Sequence, residues 1–459
     1  MLRKPRPASP STKGTDSLSA ASQRSVCVLG LGYVGLPVAV VLADRGFQVT
    51  GVDIDHTRLE RLERAQIEAH EDGLQTLFNR ARSSGRLVLS PSPSPADVFL
   101  IAVPTPLVDD HEPKADLTFV EAAGRSVAPY LRPGDLVILE STVPPGATEQ
   151  TLIPELERSG LHAGGDFMVA HVPERVFPGR ILAELIENAR VIGGLDQPSA
   201  LAAREIYRTF VTGEITLTDL RTAEMAKLME NTFRDVNIAL ANEFAALAED
   251  LGVDVWEAIR IANQHPRVSI LQPGPGVGGH CIPVDPWFLV HAASCPAPLI
   301  STARRVNEAM PHRVAGILRT ILGDIEAPVV ALLGLAYKAE TDDTRSSPAK
   351  RVAEILLSRR WETRICDPYV RSHPTLGKVL ASPLEAADGA DCLVLLTDHQ
   401  RFREFDPAAI GAVMRRRLLV DTRNALDAEV WRQSGFQVCR LGTPIAAQTP
   451  TASREKVTA

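Results

Sequence analysis

The most reactive residue type in this chain is a cysteine crowded by glycine and proline. Pro273-Gly-Pro-Gly-Val-Gly-Gly-His-Cys281-Ile-Pro-Val-Asp285-Pro286 carries four glycines and four prolines in fourteen residues. Glycine lets a backbone approach a ligand closely, and proline stiffens a loop. Asp285 fits a helix N-cap with Pro286 at the first helical position. Cys281 then stands just before a helix start, where positive potential stabilises a thiolate. That is the setting of a nucleophile. Of the others, Cys27, Cys295, Cys366, Cys392 and Cys439, most lie in apolar strands and read as inert buried thiols. His280 beside Cys281 suggests a protease dyad, but sequence neighbours usually point apart. His265, His280 and His291 lack metal-type spacing, so no metal is expected.

A second constellation is Gly30-Leu31-Gly32-Tyr33-Val34-Gly35, a GxGxxG run that follows an apolar strand and opens a helix. Asp53 stands 18 residues beyond Gly35. In that context the run is a dinucleotide fingerprint. Gly30 permits the tight turn, Gly32 admits a pyrophosphate and Gly35 lets helix pack on strand. The helix N-terminus favours the phosphates. Asp53 would accept hydrogen bonds from the adenosine ribose. Asp55 adds negative charge and no Arg follows immediately, so NAD is expected rather than NADP. A third is Lys227 with Asn231, one helical turn apart, which could stabilise an oxyanion near a thiolate. Glu224 and Arg234 or Asp235 extend that stripe.

The elements that must position these groups are legible in outline. Candidate strands are Val26–Leu29, Gln48–Val52, Val98–Val103, Leu136–Leu139 and Met168–Ala170, then Val329–Leu333, Thr363–Cys366, Cys392–Leu396 and Leu418–Val420. Strands alternating with helices imply parallel sheets covered on both faces. Both runs open with strand–Gly–x–Gly/Ala, and in both an Asp, Asp53 or Asp367, ends the second strand. The fold class expected is α/β, two Rossmann-like doubly wound domains joined by a helical domain with a long central helix. Between the runs, Met225, Leu228/Met229, Thr232/Phe233, Val236, Leu240, Phe244, Leu247 and Leu251 recur at steps of three and four, predicting one buried helix face. Such a helix of about 30 residues is about 45 Å long and suits a joint between domains or subunits. The expected division is a tail at 1–24, an NAD domain at 25–216, a helical domain at 217–310, a second Rossmann-like domain at 311–445 and a tail at 446–459.

With 459 residues, two to four domains are expected. The apolar content of 45% and charged content of 23% are ordinary globular values and exclude disorder along the whole chain, collagen and disulfide-stapled miniproteins. The net charge of −7 argues against general binding to nucleic acid or anionic membranes. Six cysteines without CxxC pairing point to a reducing cytoplasm. Residues 1–24 are basic and Ser/Pro-rich without an apolar core, which reads as a solvated tail rather than a secretory signal, with a transit peptide as the alternative. Val26 to Ala43 is free of charge over 18 residues, but its glycines and Pro37 make it strand, turn and helix rather than a membrane span.

These motifs resemble the UDP-sugar 6-dehydrogenases, the UDP-glucose/UDP-N-acetylmannosamine dehydrogenase family. The matching segments are VLGLGYVGLP (28–37), AVPTP (102–106), ESTVPPG (140–146), HVPERVFPG (171–179), TAEMAKLMENTFRDVNIALANE (222–243), HPRVSILQPGPGVGGHCIPVDPWF (265–288), LLGLAYKAETDDTRSSPA (332–349) and VDTRNAL (420–426). They keep the family's order and cover about residues 25–430. The resemblance is greatest to members acting on UDP-N-acetyl-D-mannosamine. Val284 stands where UDP-glucose enzymes usually carry Lys. Pro283 stands where mannosamine enzymes often have Ala, and Ser346 where Glu is common. These two bear on the sugar and not on the reaction.

The resemblance implies a four-electron oxidation of the sugar C6 alcohol with NAD as acceptor. Cys281 would attack the aldehyde, the thiohemiacetal would be oxidised to a thioester, and water would release the carboxylate. It implies Lys227 and Asn231 as oxyanion stabilisers, Asp285 and Thr142 as groups positioning water, and Glu174 as general base. It assigns Gly30, Gly32, Tyr33, Val34, Gly35, Asp53, Thr105, Thr142 and Arg345 to NAD. To the substrate it assigns Glu174, Arg175, Lys227, Asn231, Gly278, Tyr337, Lys338, Arg423 and an Arg267 donated across a homodimer built on the long helix. UDP-N-acetyl-D-mannosamine is the first expected substrate; UDP-N-acetylglucosamine, UDP-N-acetylgalactosamine and UDP-glucose are alternatives. The product is expected to enter surface polysaccharide or glycan. A catalytically silent nucleotide-sugar binder and a single-step hydroxyacid dehydrogenase are the competing classes. The first has no need of the Cys281, Lys227, Asn231, Asp285 and Glu174 set, and the second none of a loop cysteine or a second Rossmann-like domain.

Overall fold

The computed structural model describes residues 24–67, 71–108, 113–176, 179–323 and 325–444. The expected tails, 1–24 and 446–459, fall outside these residues apart from Arg24. The chain divides into two compact units, Met1–Leu228 and Met229–Ala459, and the division falls within the long helix.

The first unit is built on an eight-stranded sheet: β1 (Ser25–Leu29), β2 (Gln48–Val52), β3 (Leu87–Ser90), β4 (Val98–Ile101), β5 (Leu136–Leu139), β6 (Met168–His171), β7 (Arg190–Gly194) and β8 (Ile215–Asp219). Their spatial order is β8-β7-β6-β5-β4-β1-β2-β3. Alternation explains the two layers of core. Val26, Val28, Val98, Leu100, Leu136 and Ile138 pack on one face, while Cys27, Leu29, Phe99, Ile101, Val137 and Leu139 pack on the other. Strands buried on both faces read as continuous apolar runs, which is why these were visible in sequence. The charge-free stretch is β1, a turn and helix α1 (Gly35–Asp44), buried from Gly35 to Ala43.

The sheet departs from the expected all-parallel pattern. β6 pairs with β7 antiparallel, and every other pairing in this sheet is parallel. A parallel crossover needs a return path, usually a full helix. Between β6 and β7 much of the chain forms the Pro173-Glu174-Arg175 loop, and the helix Ile181–Glu187 has only seven residues. β7 escaped the sequence reading because Gly193 and Gly194 look like a turn. They are glycine for space: a Cβ on Gly193 would stand 2.6 Å from the Asp219 carbonyl, and one on Gly194 2.6 Å from the Ala200 nitrogen. Helix α2 (Gln197–Tyr207) follows β7.

The second unit has a five-stranded parallel sheet, β9 (Val329–Leu333), β10 (Glu362–Cys366), β11 (Cys392–Leu395), β12 (Leu418–Asp421) and β13 (Gln437–Arg440), ordered β10-β9-β11-β12-β13. Its strands also feed two core faces, Val330, Leu332 and Val394 on one and Ala331, Leu333 and Leu393 on the other.

The long helix α3 (Leu220–Leu251) has 32 residues. Its buried face differs from the one expected. Leu228, Thr232, Asp235, Ala239, Asn242, Ala245 and Ala248 are buried, whereas Met225, Met229, Phe233, Leu240, Phe244, Leu247 and Leu251 are exposed. Within the second unit, small and polar side chains let α3 pack closely and join a polar network, which leaves the large apolar stripe exposed among the described residues. Helices α4 (Asp285–Ala292), α5 (Pro298–Leu322) and α6 (Pro348–Ser358) complete the frame around the cysteine loop. No helix of the described residues is long and apolar enough to cross a membrane.

Candidate active site

In the first unit the three fingerprint glycines sort by space. Gly30 has φ +89°, and a Cβ there would stand 2.4 Å from the Ala102 carbonyl oxygen. A Cβ on Gly35 would overlap the Gly30 carbonyl. Gly32 has no atom within 4 Å of its Cβ position, so nothing in the protein requires glycine there and a ligand can approach. Tyr33 and Val34 form the turn, and α1 starts with no side-chain cap, the Leu36 N–H donating to the Gly32 carbonyl at 3.2 Å, so the helix N-terminus can face an anion with no acidic side chain in its first turn. The residues therefore fit a dinucleotide pyrophosphate.

Asp53 is more occupied than expected. Its Oδ2 accepts from the Leu31 N–H at 2.9 Å and from Arg58 at 2.8 Å, and its Oδ1 accepts from the Asp55 N–H at 2.9 Å. Arg58 was missed because it lies a turn beyond Asp55, on the helix that Asp55 caps. The Arg58 N–H that Asp55 accepts holds the Asp55 carboxyl below its usual range. Thr105 and Thr142 come together, the Thr105 hydroxyl donating to the Thr142 carbonyl at 2.7 Å.

Glu174 follows β6, and Lys227 is 9% exposed on α3. Burial pushes the Glu174 carboxyl up, opposed by the Lys227 and Arg190 charges and by backbone N–H groups. Arg175 points a nitrogen at the Ala189 carbonyl, 3.2 Å away. Glu224 leaves the functional stripe. Buried, it accepts from the Gly146 N–H at 2.5 Å, the Thr148 N–H at 2.9 Å and the Thr148 hydroxyl at 2.6 Å. It ties down the loop after Thr142.

The second unit holds the glycine-rich cysteine loop. Cys281 is half-buried, and its carbonyl accepts from the N–H groups of Val284 and Asp285. Asp285 is not the N-cap: it is the first residue of α4, and Val284 precedes it without a side-chain cap. Its buried carboxylate turns instead to Asn231, whose Nδ2 donates to Oδ2 at 2.5 Å. A carboxylate spent on capping would have been unavailable to a site. The strand cysteines Cys27, Cys366, Cys392 and Cys439 are buried, and burial pushes their thiols up, to about 11 for Cys27 and about 12 for Cys366 and Cys439. Cys295 is exposed.

Tyr337, Arg345 and Arg423 converge on the loop. A Cβ on Gly279 would stand 2.9 Å from the Tyr337 ring, and one on Gly278 would meet Pro348, the Ser346 carbonyl and Tyr337 within 2.8 Å. The Gly279 N–H donates to the Arg345 carbonyl at 3.0 Å. The Arg345 guanidinium donates to Asp343 Oδ2 at 2.6 Å and to Oδ1 at 3.0 Å. Burial, with the Asp343 and Cys281 charges, raises the Tyr337 hydroxyl to about 12. Arg423 Nη1 lies 2.6 Å from the Cβ position of Gly274, and its Nε donates to Asp398 at 3.2 Å. Lys338 adjoins Tyr337 and is half-buried. Arg267 is on an exposed segment, its N–H donating to His265 Nδ1 at 3.3 Å.

The chain is 48% identical over 425 residues to the UDP-N-acetyl-D-mannosamine dehydrogenase of Methanocaldococcus jannaschii, covering 91% of this chain and 96% of that protein. Residues 24–211, 221–309 and 331–428 match the NAD binding, central and UDP binding domains of the UDP-glucose/GDP-mannose dehydrogenase family. The chain belongs to that family. It is an NAD-dependent nucleotide-sugar dehydrogenase. It is also 47% identical to the NDP-N-acetyl-D-galactosaminuronic acid dehydrogenase of Ralstonia solanacearum, over 88% of this chain and 97% of that one. Among solved structures, the UDP-D-ManNAc dehydrogenase of Pyrococcus horikoshii aligns with a TM-score of 0.85 at 44% identity, covering 91% of this chain and 99% of that one.

Sequence reasoning missed the network that anchors the dehydrogenase's cysteine loop. Arg304 donates to Asp235 at 2.6 Å, Asn307 to Asp235 at 2.8 Å, Asn242 to Asn307 at 2.9 Å, and the Gly274 N–H to Asn242 at 2.8 Å. All four side chains are buried. The available signal was their spacing: Asp235 and Asn242 fall on the small-residue face of α3. Glu140, Tyr207 and Arg190 were missed as well. Glu140 could have been noticed as a carboxylate directly after an apolar strand.

Proposed function

We propose that this dehydrogenase oxidises the C6 hydroxyl of a UDP-N-acetylhexosamine, UDP-N-acetyl-D-mannosamine first, to the uronic acid through a Cys281 thioester. The observation that carries the reading is the half-buried Cys281 in a loop held against Tyr337 and the Arg345 carbonyl, with the Asp285 carboxylate turned from capping to Asn231. NAD, when bound, accepts the hydride in each of the two oxidations, and the open space at Gly32 with the uncapped start of α1 suits its pyrophosphate.

The residues then take these roles. The Cys281 thiolate adds to the C6 aldehyde, and the resulting thiohemiacetal keeps one hydrogen on C6. Loss of that hydrogen as hydride, with the hydroxyl proton, leaves a thioester. Water attacks the thioester carbon with Glu174 taking its proton; the C–S bond breaks and the thiol is restored. Lys227 and Asn231, one turn apart on α3, stabilise the oxyanion. Asp285 and Thr142 orient water. Tyr337, Lys338, Arg423 and Arg175 hold the UDP-sugar, with Gly278 giving backbone access, and Thr105 and Arg345 contribute to NAD binding. Arg suits phosphate because its planar fork reaches two oxygens.

A homodimer completes the proposal. Met229, Phe233, Leu240, Phe244, Leu247 and Leu251 follow one stripe of α3, and an apolar stripe of this length on a helix is suited to a second copy. Arg267 would then serve the partner's site. The enzyme would work in the cytoplasm and feed surface glycan synthesis. An NADH-coupled assay across UDP-N-acetylmannosamine, UDP-N-acetylglucosamine, UDP-N-acetylgalactosamine and UDP-glucose tests the substrate. Product analysis tests the route: two NADH per carboxylate are expected, and one NADH with accumulating aldehyde would overturn the thioester. Light scattering tests the dimer, and an active monomer would remove the role of Arg267.

A further inference from the structure

A buried polar cluster whose charges act on Glu174 is not used by the proposed chemistry. Glu140 follows β5, Tyr207 ends α2 and Arg190 opens β7, and each is at most 3% exposed. The Tyr207 hydroxyl donates to Glu140 Oε1. Glu140 Oε2 is buried without a hydrogen-bond partner among the described residues. Arg190 donates to the Leu185 carbonyl at 3.3 Å, and its charge acts on Glu140, Glu174 and Tyr207 alike. Lys227 faces Glu174 from α3, and the Val176 N–H donates to Glu174. His171, at the end of β6, is buried and neutral, burial pushing it down to about 3.

Two carboxyl groups that interact in a desolvated setting titrate as a pair, and the better solvated and better paired one ionises first. Glu174 is half-buried and has Lys227; Glu140 is fully buried and shares only Arg190. The proton therefore resides on Glu140. Burial raises its carboxyl to about 7, and the Glu174 charge adds to the rise. The Tyr207 hydroxyl, itself pushed well above its usual range by burial, stays protonated and remains a donor.

We propose that Glu140 is a positioning residue for thioester hydrolysis: bonded by the Tyr207 hydroxyl, with its second oxygen buried and unpartnered among the described residues, it gains and loses the second proton of the carboxyl pair and so tunes Glu174 as the base. The proposal rests on the role given to Glu174 above. Below the Glu140 transition Glu174 is the sole anion of the pair. Above it, Glu140 has released its proton to solvent, and the second negative charge strengthens Glu174 as a base.

Rapid-quench measurement of thioester decay against pH tests this on the full-length enzyme. The wild type is expected to show a step near neutrality. Glu140→Gln is expected to lose that step and to hydrolyse about three- to tenfold more slowly above it, with NAD affinity unchanged. A Glu140→Gln profile that superimposes on the wild type overturns the proposal. Tyr207→Phe keeps the carboxyl but removes a bond that favours its charged form, so it should move the step to higher pH; an unmoved step counts against the cluster even if Glu140→Gln fails to fold. The infrared band of a protonated carboxyl, present in the wild type at about pH 6 and absent in Glu140→Gln, reads the proton without turnover. Glu174→Gln separates the two ideas. Hydrolysis at the wild-type rate in that variant overturns the base assignment itself, whatever the infrared band shows.

Discussion

Replacing Gly278 with alanine tests whether the cysteine loop works by close approach. The added Cβ would stand 2.7 Å from Pro348 Cδ, 2.8 Å from the Ser346 carbonyl oxygen and 2.8 Å from Tyr337 Cβ. Each is about 0.6–0.7 Å short of ordinary contact. None of these neighbours is the free end of a flexible side chain. Pro348 begins α6, Ser346 is held at φ +48°, and the Tyr337 N–H is bonded to the Asp343 carbonyl at 2.9 Å. The loop must therefore give, and Cys281 lies three residues on. Displacement on the order of 1 Å near reacting atoms can cost about a hundredfold in rate, and overpacking of this kind costs about 1–3 kcal/mol. Turnover measured by NADH formation should fall about 30- to 100-fold. Urea unfolding should shift by about 1–3 kcal/mol. NAD affinity, read by fluorescence titration, should fall far less than turnover, since the fingerprint belongs to the other unit and Arg345 alone of the proposed NAD residues adjoins the loop. Turnover within threefold of the wild type would refute the claim that the loop's glycines are there for approach to Tyr337 and Pro348.

Gly32→Ala should give the converse pattern. Its Cβ meets nothing within 4 Å, so stability should be unchanged or slightly higher, while NAD affinity falls about tenfold or more; unaltered affinity would remove Gly32 from the cofactor site. Arg304→Leu leaves the buried Asp235 carboxylate without its cation and should cost about 3–5 kcal/mol in urea unfolding, with a loss below about 1 kcal/mol counting against the anchoring network. His171 is buried neutral with its imidazole pushed from 6.5 down to about 3, so the native state binds fewer protons than the unfolded chain across that window. Its contribution is present above about pH 6.5 and lost as pH falls, on the order of 2–3 kcal/mol by pH 4.5, and unfolding curves at the two pH values should converge toward each other in His171→Leu. Phe244→Glu should shift light scattering from dimer to monomer; a persisting dimer would place the interface off α3.

What the sequence made legible follows from how each feature is encoded. Strands buried on both faces are apolar runs, so β1, β4, β5, β9 and β11 could be read directly. β7 could not, because Gly193 and Gly194 are there to admit the Asp219 carbonyl and the Ala200 backbone, a requirement set by distant residues. The antiparallel turn of the sheet at β7 was hidden for a related reason, since a short helix and the Pro173-Glu174-Arg175 loop look like any connection. Periodicity located α3 to within a few residues but gave the wrong buried face. A stripe of Met, Phe and Leu signals contact, not which chain supplies it.

The site divides along the same line. Cys281, the fingerprint glycines and Lys227 with Asn231 stand out by local pattern, because glycine and proline spacing and a one-turn helical step are all visible within a few residues. Asp53 and Asp285 were found as residues but not as bonds. Asp53 accepts from Leu31 in its own turn and from Arg58, just as Asp367 in the second sheet accepts from Leu335 at 2.7 Å and from Ala336 at 3.0 Å. In both units an acid at the end of the second strand closes the glycine turn after the first, so the repeated Asp answers first to the fold and only then to a ligand. The two units differ in the side chain that joins this acid: Arg58 in the first, and the His399 ring at 3.2 Å in the second. Arg58 is 35% exposed at its side chain, while His399 is fully buried. A ribose hydroxyl can displace an arm that reaches in from solvent far more easily than a ring packed into the core. The same turn, built twice, is thus open to a dinucleotide ribose in the first unit and closed in the second.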